Sequence, residues 1–150
     1  CIVHLPLVAV LRTDALAVTG WDDSMRRCED YIKAGADVLF VEALRTPEEA
    51  ERATKSLGVP LLYNYVETGK SPLIPSSELE KLGFKIVIFP VSALLTICKV
   101  VTDVMKELKE KGTTSHLLGN MVNVEECFNI VGLDAMLSKD ASYTAEPQAV

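Results

Sequence analysis

The stretch VAVLRTDALAVTGWDD, Val8–Asp23, decides how this chain is read. An apolar run, a strand at about Val8–Leu11, stops in Arg12, Thr13 and Asp14: a cation, a hydroxyl and an anion in succession. A guanidinium at a buried strand end is costly unless it is paired. Either Arg12 grips a ligand with its planar fork, or it closes an ion-pair network between neighbouring strands. From spacing alone the two readings stand level.

Outward from this stretch the chain alternates. A helix is expected over about Asp23–Ala34, with Met25, Cys28 and Ile32 on one face and Gly35 at its end. A second strand, Val38–Val41, is followed by a helix that Thr46 caps, with Pro47 in its first turn and Glu49 completing a capping box. Ala50, Ala53 and Leu57 face inward, and Gly58 stops the helix. A third strand, Pro60–Tyr63, leads through the loop NYVETGKSPLIP to a short helix boxed by Ser77 and Glu80, with Leu79 and Leu82 inward and Gly83 after it. The run Ile86–Phe89 is a fourth strand. A long helix, about Ser92–Lys111, carries Leu94, Ile97, Val101, Val104 and Leu108 at helical period. A last helix opens near Asn123, boxed by Glu126. Short, wholly apolar strands alternating with helices imply a parallel sheet covered by helices, an α/β fold.

With 150 residues, 49% hydrophobic and 24% charged, the chain is expected to form one globular domain. A net charge of −6 and no dense Lys/Arg cluster exclude a nucleic-acid footprint. No apolar run reaches the roughly 18 residues of a membrane span. The opening CIVHLPLVAVL lacks a basic region and a cleavage site, so it does not read as a signal peptide. A start at Cys1 rather than Met suggests a processed or incomplete chain. Cys1, Cys28, Cys98 and Cys127 form no CxxC pair and read as small buried hydrophobes in a reducing compartment. His4 and His116 are isolated, so no metal site is expected on them.

The strand ends carry the chemistry: Arg12-Thr13-Asp14, then Glu42, then Asn64 with Glu67 soon after, then Phe89-Pro90 and the hydroxyl of Ser92. Parallel α/β folds build sites at this edge of the sheet. Glu42 or Asp14 could pair with Arg12, and Asn64 could serve an oxyanion or only a turn. Glu67-Thr68-Gly69-Lys70-Ser71-Pro72 is either a mobile flap or a surface connection, with Gly69 and Pro72 as turn residues and Lys70 read as solvated. No phosphate-cradling glycine loop, HExxH motif or nucleophile elbow is present.

The longer stretch LRTDALAVTGWDDSMRRCEDYIKAGADVLFVEAL, Leu11–Leu44, resembles the isocitrate lyase/phosphoenolpyruvate mutase superfamily. There a strand ending A-R-T-D-A precedes a helix, A-G-A-D and a strand ending E-A. The likeness runs on through VPLLYNYVETGKSPLIPSSELEKLGFKIVIFPVSAL and LKEKGT, spanning about Val8 to Leu133.

The resemblance implies a (β/α)8 TIM-type barrel, of which this chain would be the C-terminal half: strands five to eight and C-terminal helices in residues 1–137, with a flexible tail in residues 138–150. It implies Mg2+-dependent cleavage of a C–C bond in a small 2-oxo or 2-hydroxy dicarboxylate through an enolate-like intermediate. The branches are methylisocitrate lyase, oxaloacetate hydrolase, dimethylmalate lyase and phosphonomutase-like enzymes. By position, Arg12 resembles the substrate-carboxylate arginine and Glu42 the glutamate near the reacting group, the two expected catalytic residues. Asn64, Glu67 and Gly69 match the substrate-binding loop.

The metal ligands belong to the absent first half, so none is expected here. The four cysteines do not match the lyases' catalytic cysteine motif. Leu95 and Val124 stand where methylisocitrate lyases carry arginines, which implies a smaller acid; Val66 replaces a common Thr and Val41 a common Pro. The resemblance implies an intracellular, cytoplasmic protein, with an organelle left open. It implies a homo-oligomer with a small carboxylate substrate and no nucleic-acid or membrane partner. An isolated half would be inactive. The alternatives are C–P bond chemistry of the phosphonomutase type and a non-catalytic assembly remnant.

Overall fold

The computed structural model describes residues 7–144, which leaves Cys1 and His4 outside the described residues. Four strands, β1 (Val10–Thr13), β2 (Val38–Val41), β3 (Leu61–Asn64) and β4 (Ile86–Ile88), form one sheet. They lie in the order β1-β2-β3-β4. Every pairing is parallel, with Arg12 opposite Phe40, Leu39 opposite Leu61 and Asn64 opposite Ile88. An open doubly wound sheet reverses its strand order; this one does not. Crossovers of one hand between sequential strands put the connecting helices on the same face, as in a barrel wall.

The core shows that sidedness. Leu39, Val41, Leu61 and Tyr63 pack with Cys28 of α2 (Trp21–Lys33), Ala50 and Ala53 of α3 (Pro47–Ser56) and Leu79 of α4 (Ser76–Leu82). The alternate residues, Val38, Phe40 and Leu62, form a separate cluster on the opposite face with Ile88 beside it. Side chains alternate along a strand, so odd and even positions sort onto the two faces. Only β2 is buried along its whole length; β1 and β4 are edge strands, with Val10 46% and Ile86 37% exposed. Burial of every strand on both faces, expected from the apolar runs, fails at these edges because nothing described pairs with them.

Local signals set the helix ends. The Thr46 hydroxyl accepts from the Glu49 N–H at 3.1 Å, but the Glu49 carboxylate reaches back to the Arg45 N–H at 2.8 Å rather than to Thr46. Asn123 and Glu126 make a full capping box at α6 (Val124–Ile130). The box expected from Ser77 does not form: α4 starts one residue earlier, after Pro75, with no side-chain cap. Gly83 ends α4 at φ +103°, where a Cβ would also meet Thr54 at 3.2 Å.

By contact the described chain divides between Cys98 and Lys99, where the sequence suggested one domain through Leu137. α5 (Ser92–Lys111) crosses that boundary. The second unit continues through a 3-10 turn (Ser115–Asn120), α6 and α7 (Leu133–Thr144). α7 runs past Leu137, where periodicity is lost; a helix needs no apolar stripe where it buries none. Two further expectations fail along α5 and beyond it. Most of the α5 stripe is not inward: Leu94 is 55% and Ile97 57% exposed, and of its five residues only Val104 is half-buried. Cys98 and Cys127 are exposed, and among the described residues only Cys28 is a buried thiol. Among the described residues no helix is long and apolar enough to cross a membrane.

Tyr63 ties the sheet to the loop after β3. It is 2% exposed, stacks edge-on against Phe84 at 5.1 Å and donates its hydroxyl to the Pro72 carbonyl at 2.6 Å. Burial pushes its phenol up to about 12, against a smaller opposing pull from Ser71.

Two outcomes follow from this packing. Leu39→Ala, at a fully buried site, should cost about 2–5 kcal/mol in urea unfolding, whereas Leu94→Ala should fall within about 0.5 kcal/mol of the parent. Equal costs would contradict the assigned core. For Tyr63 the folded phenol titrates above its unfolded value of 10.0, so its contribution is complete below that pH and is lost as pH rises toward about 12. Tyr63→Phe should lose less stability across that window than the parent, since Cys28 titrates in both proteins; parallel curves would refute this.

Candidate active site at the strand ends

The three polar residues after β1 divide the work. Arg12 lies with its guanidinium 4.7 Å from the Phe40 ring centroid, on the face away from the helices. Asp14 takes one edge of the fork, with Nε donating to Oδ2 at 3.0 Å and Nη2 to Oδ1 at 2.7 Å. With the Asp14 carboxylate so engaged, the Thr13 hydroxyl accepts from the Ala15 N–H at 3.2 Å and opens α1 (Ala15–Val18). The Arg12 side chain is 48% exposed, so the strand end is less enclosed than its sequence suggests. The Asp14 hydrogen bond, then the charge of Glu42, hold the Arg12 guanidinium above its ordinary value despite some desolvation. The same bond holds the Asp14 carboxyl below the usual range.

Glu42 stands one strand over, and its backbone N–H bonds to the Thr13 carbonyl at 3.0 Å. One oxygen, Oε2, lies 3.4 Å from Arg12 Nη2 and accepts from Asn64 Nδ2 at 3.1 Å. Three adjacent strands thus bring a guanidinium, a carboxylate and an amide into one contiguous group. The Asn64 carbonyl oxygen Oδ1 is buried and has no hydrogen-bond partner. A buried acceptor left unpaired costs about 1–3 kcal/mol, and a ligand donor would relieve it.

These groups line a cavity of about 310 Å³ with Asp14, Ala43, Val66, Gly69, Lys70 and Ser71 among its walls. Of the residues singled out in the sequence, Arg12, Glu42, Asn64 and Gly69 come together here. Glu67 does not line the cavity; its Oε2 is buried without a partner in the loop. The Ser92 hydroxyl, expected at the same place, is absent from the walls too, since it opens α5 beyond the end of β4. Lys70, read as solvated, is exposed but lies on the cavity wall.

Nothing in the sequence pattern marks Ala43. It holds φ +64°, among the described residues the only non-glycine with positive φ, and is 5% exposed. Such a conformation costs about 1–3 kcal/mol and persists only where the surroundings impose it. It turns the chain sharply after Glu42 and places a small side chain in the cavity wall. Glycine or asparagine would have flagged the turn; alanine does not.

Among the described residues no group of three or more His, Cys, Asp or Glu side chains could hold a metal ion. Both carboxylates at the cavity, Asp14 and Glu42, are engaged by Arg12. The described residues alone do not fit a Mg2+ site.

The chain resembles known proteins over most of its length. The phosphoenolpyruvate phosphomutase family model matches residues 3–109. A 2-methylisocitrate lyase from Aeropyrum pernix is 34% identical over 93% of this chain and 45% of its own length. A crystal structure of 2,3-dimethylmalate lyase superposes with a TM-score of 0.82 at 34% identity, covering 91% of this chain and 48% of that one. Oxaloacetate acetylhydrolase with its product oxalate gives a TM-score of 0.82 at 31% identity, over 92% of this chain and 47% of that one. Phosphonopyruvate hydrolase with oxalate and Mg2+ gives 0.75 at 25% identity, over 91% and 49%. The chain spans about half the length of the relatives it matches. The parallel sheet in unreversed order with its helices matches about half of the TIM-barrel chains of these proteins. The chain belongs to the phosphoenolpyruvate phosphomutase family, within the isocitrate lyase/phosphoenolpyruvate mutase superfamily.

Proposed function

We propose that this chain supplies the substrate-carboxylate side of a lyase or hydrolase site that cleaves a C–C bond in a small 2-oxo or 2-hydroxy dicarboxylate. The observation that carries this is the shared Glu42 oxygen, set between Arg12 and Asn64 at 3.4 and 3.1 Å. Asp14 occupies the Nε–Nη2 edge of Arg12. That leaves the Nη1 hydrogens to grip a carboxylate in the cavity. Glu42 orients both neighbours: it fixes the guanidinium and takes one of the two Asn64 Nδ2 hydrogens, leaving the other hydrogen and the unpaired Oδ1 as the groups a substrate hydroxyl could meet. These residues bind and orient; the enolate-like charge expected during cleavage builds next to Arg12, where a fixed cation stabilises it most.

Mg2+ accompanies oxalate in the phosphonopyruvate hydrolase structure; here it would neutralise the developing enolate charge, held by ligands from outside the described residues. By itself the chain is therefore the incomplete side of the site. The matching family model is described by C–P chemistry, and this favours one second reading, a phosphonomutase-type reaction using the same three groups. Exposed apolar side chains on α6, Phe128 and Ile130 among them, support assembly with further copies.

The 150-residue chain with Mg2+ should show no turnover of oxaloacetate, 2,3-dimethylmalate or phosphonopyruvate; turnover would contradict the incomplete-half reading. In an enzyme that encloses these strands, Arg12→Ala should reduce kcat/KM by about 2–5 kcal/mol of transition-state binding. An unchanged kcat/KM would remove Arg12 from the site.

A further inference from the structure

The cavity holds two cations that differ in their commitments. Arg12 is engaged by Asp14 and Glu42 and lies over Phe40. Lys70 lines the same cavity, and its ammonium has no ion pair or hydrogen bond among the described residues. With Asp14 and Glu42 opposing Arg12 and Lys70, the charged groups on the wall sum to zero. A carboxylate bound at Arg12 makes that wall net negative, and Lys70 is the cation left on it to offset a second.

The backbone on either side of Lys70 is pinned. The Gly69 N–H closes a turn on the Val66 carbonyl at 3.0 Å. A Cβ at Gly69 would stand 3.0 Å from the Val66 Cβ, a close contact that Val66 would have to yield to. On the other side Tyr63 holds the Pro72 carbonyl at 2.6 Å. Lys70 also lines an adjoining cavity of about 380 Å³ with Leu16, Ala17, Ala43 and Arg45. There Arg45 is already paired with Glu49 at 2.9 Å. Lys70 is thus the uncommitted cation common to both hollows.

We propose that Lys70 binds the second carboxylate of the substrate and makes the site selective for dicarboxylates over monocarboxylates. This rests on the carboxylate-binding reading above. A lysine ammonium suits the task as a point charge on a flexible stem, while the planar fork of Arg12 fixes the reacting end.

The test titrates malate and lactate, a 2-hydroxy dicarboxylate and its monocarboxylate counterpart, into the isotopically labelled 150-residue chain and follows amide shifts. Lys70→Gln should weaken malate binding about tenfold and leave lactate binding within about twofold, and Lys70→Arg should restore malate. Equal weakening of both acids, or unchanged malate binding, overturns the assignment to Lys70. If neither acid shifts the Arg12, Glu42 and Asn64 signals of the parent chain, the carboxylate reading itself fails, and this inference with it.

Discussion

A single carboxylate oxygen, Glu42 Oε2, joins three strands of this sheet: it lies 3.4 Å from the guanidinium of Arg12 and accepts from the amide of Asn64 at 3.1 Å. Each contact alone is weak, since the Arg12 side chain is 48% and the Glu42 side chain 23% exposed. Together they set which edge of Arg12 and which groups of Asn64 are left for a ligand. Asp14 finishes the arrangement by taking the remaining near edge of the fork. Every functional statement made about the chain depends on that geometry.

The geometry follows from register. With Arg12 opposite Phe40 and Asn64 opposite Ile88, even-numbered residues of the strands share one face, and the odd-numbered ones pack against helices. A slip of one residue between β1 and β2 would send Arg12 to the helix face and destroy both the core and the site. The backbone bond from Glu42 to Thr13 continues the ladder past the end of β2, so the site inherits the precision of the sheet. The strain at Ala43 is what this arrangement costs, held by neighbours that bury the residue almost fully.

The sheet was legible in the sequence because its two interior strands are apolar runs, β2 throughout and β3 up to Asn64, and their helices carry caps and an inner face. The strand ends were legible because Arg12, Glu42 and Asn64 each follow an apolar run directly. What escaped notice obeys forces that a local pattern does not encode. β1 and β4 look interior by composition but lie at the edges, because exposure depends on which strands are neighbours. The stripe on α5 is periodic yet mostly exposed, for periodicity shows that a face is apolar and not what covers it. α1 is a single turn, too short for a period, and Ser77 lost its capping role to a start one residue earlier. Ser92 and Glu67 follow strands at a distance, where loop geometry rather than register decides direction. Lys70 read as solvated because its sequence neighbourhood resembles any surface turn; only the pinned loop brings it to the cavity.

A double-mutant cycle between Arg12 and Glu42 tests the central geometry most directly. Arg12→Gln, Glu42→Gln and the double variant would be unfolded in urea at neutral pH and low salt. With the shared oxygen in place, the two substitutions should be non-additive by about 0.5–1 kcal/mol, with the coupling shrinking as salt is added. Strictly additive losses at low salt would mean that the two side chains do not meet, and the carboxylate-binding group at the strand ends would not exist as described.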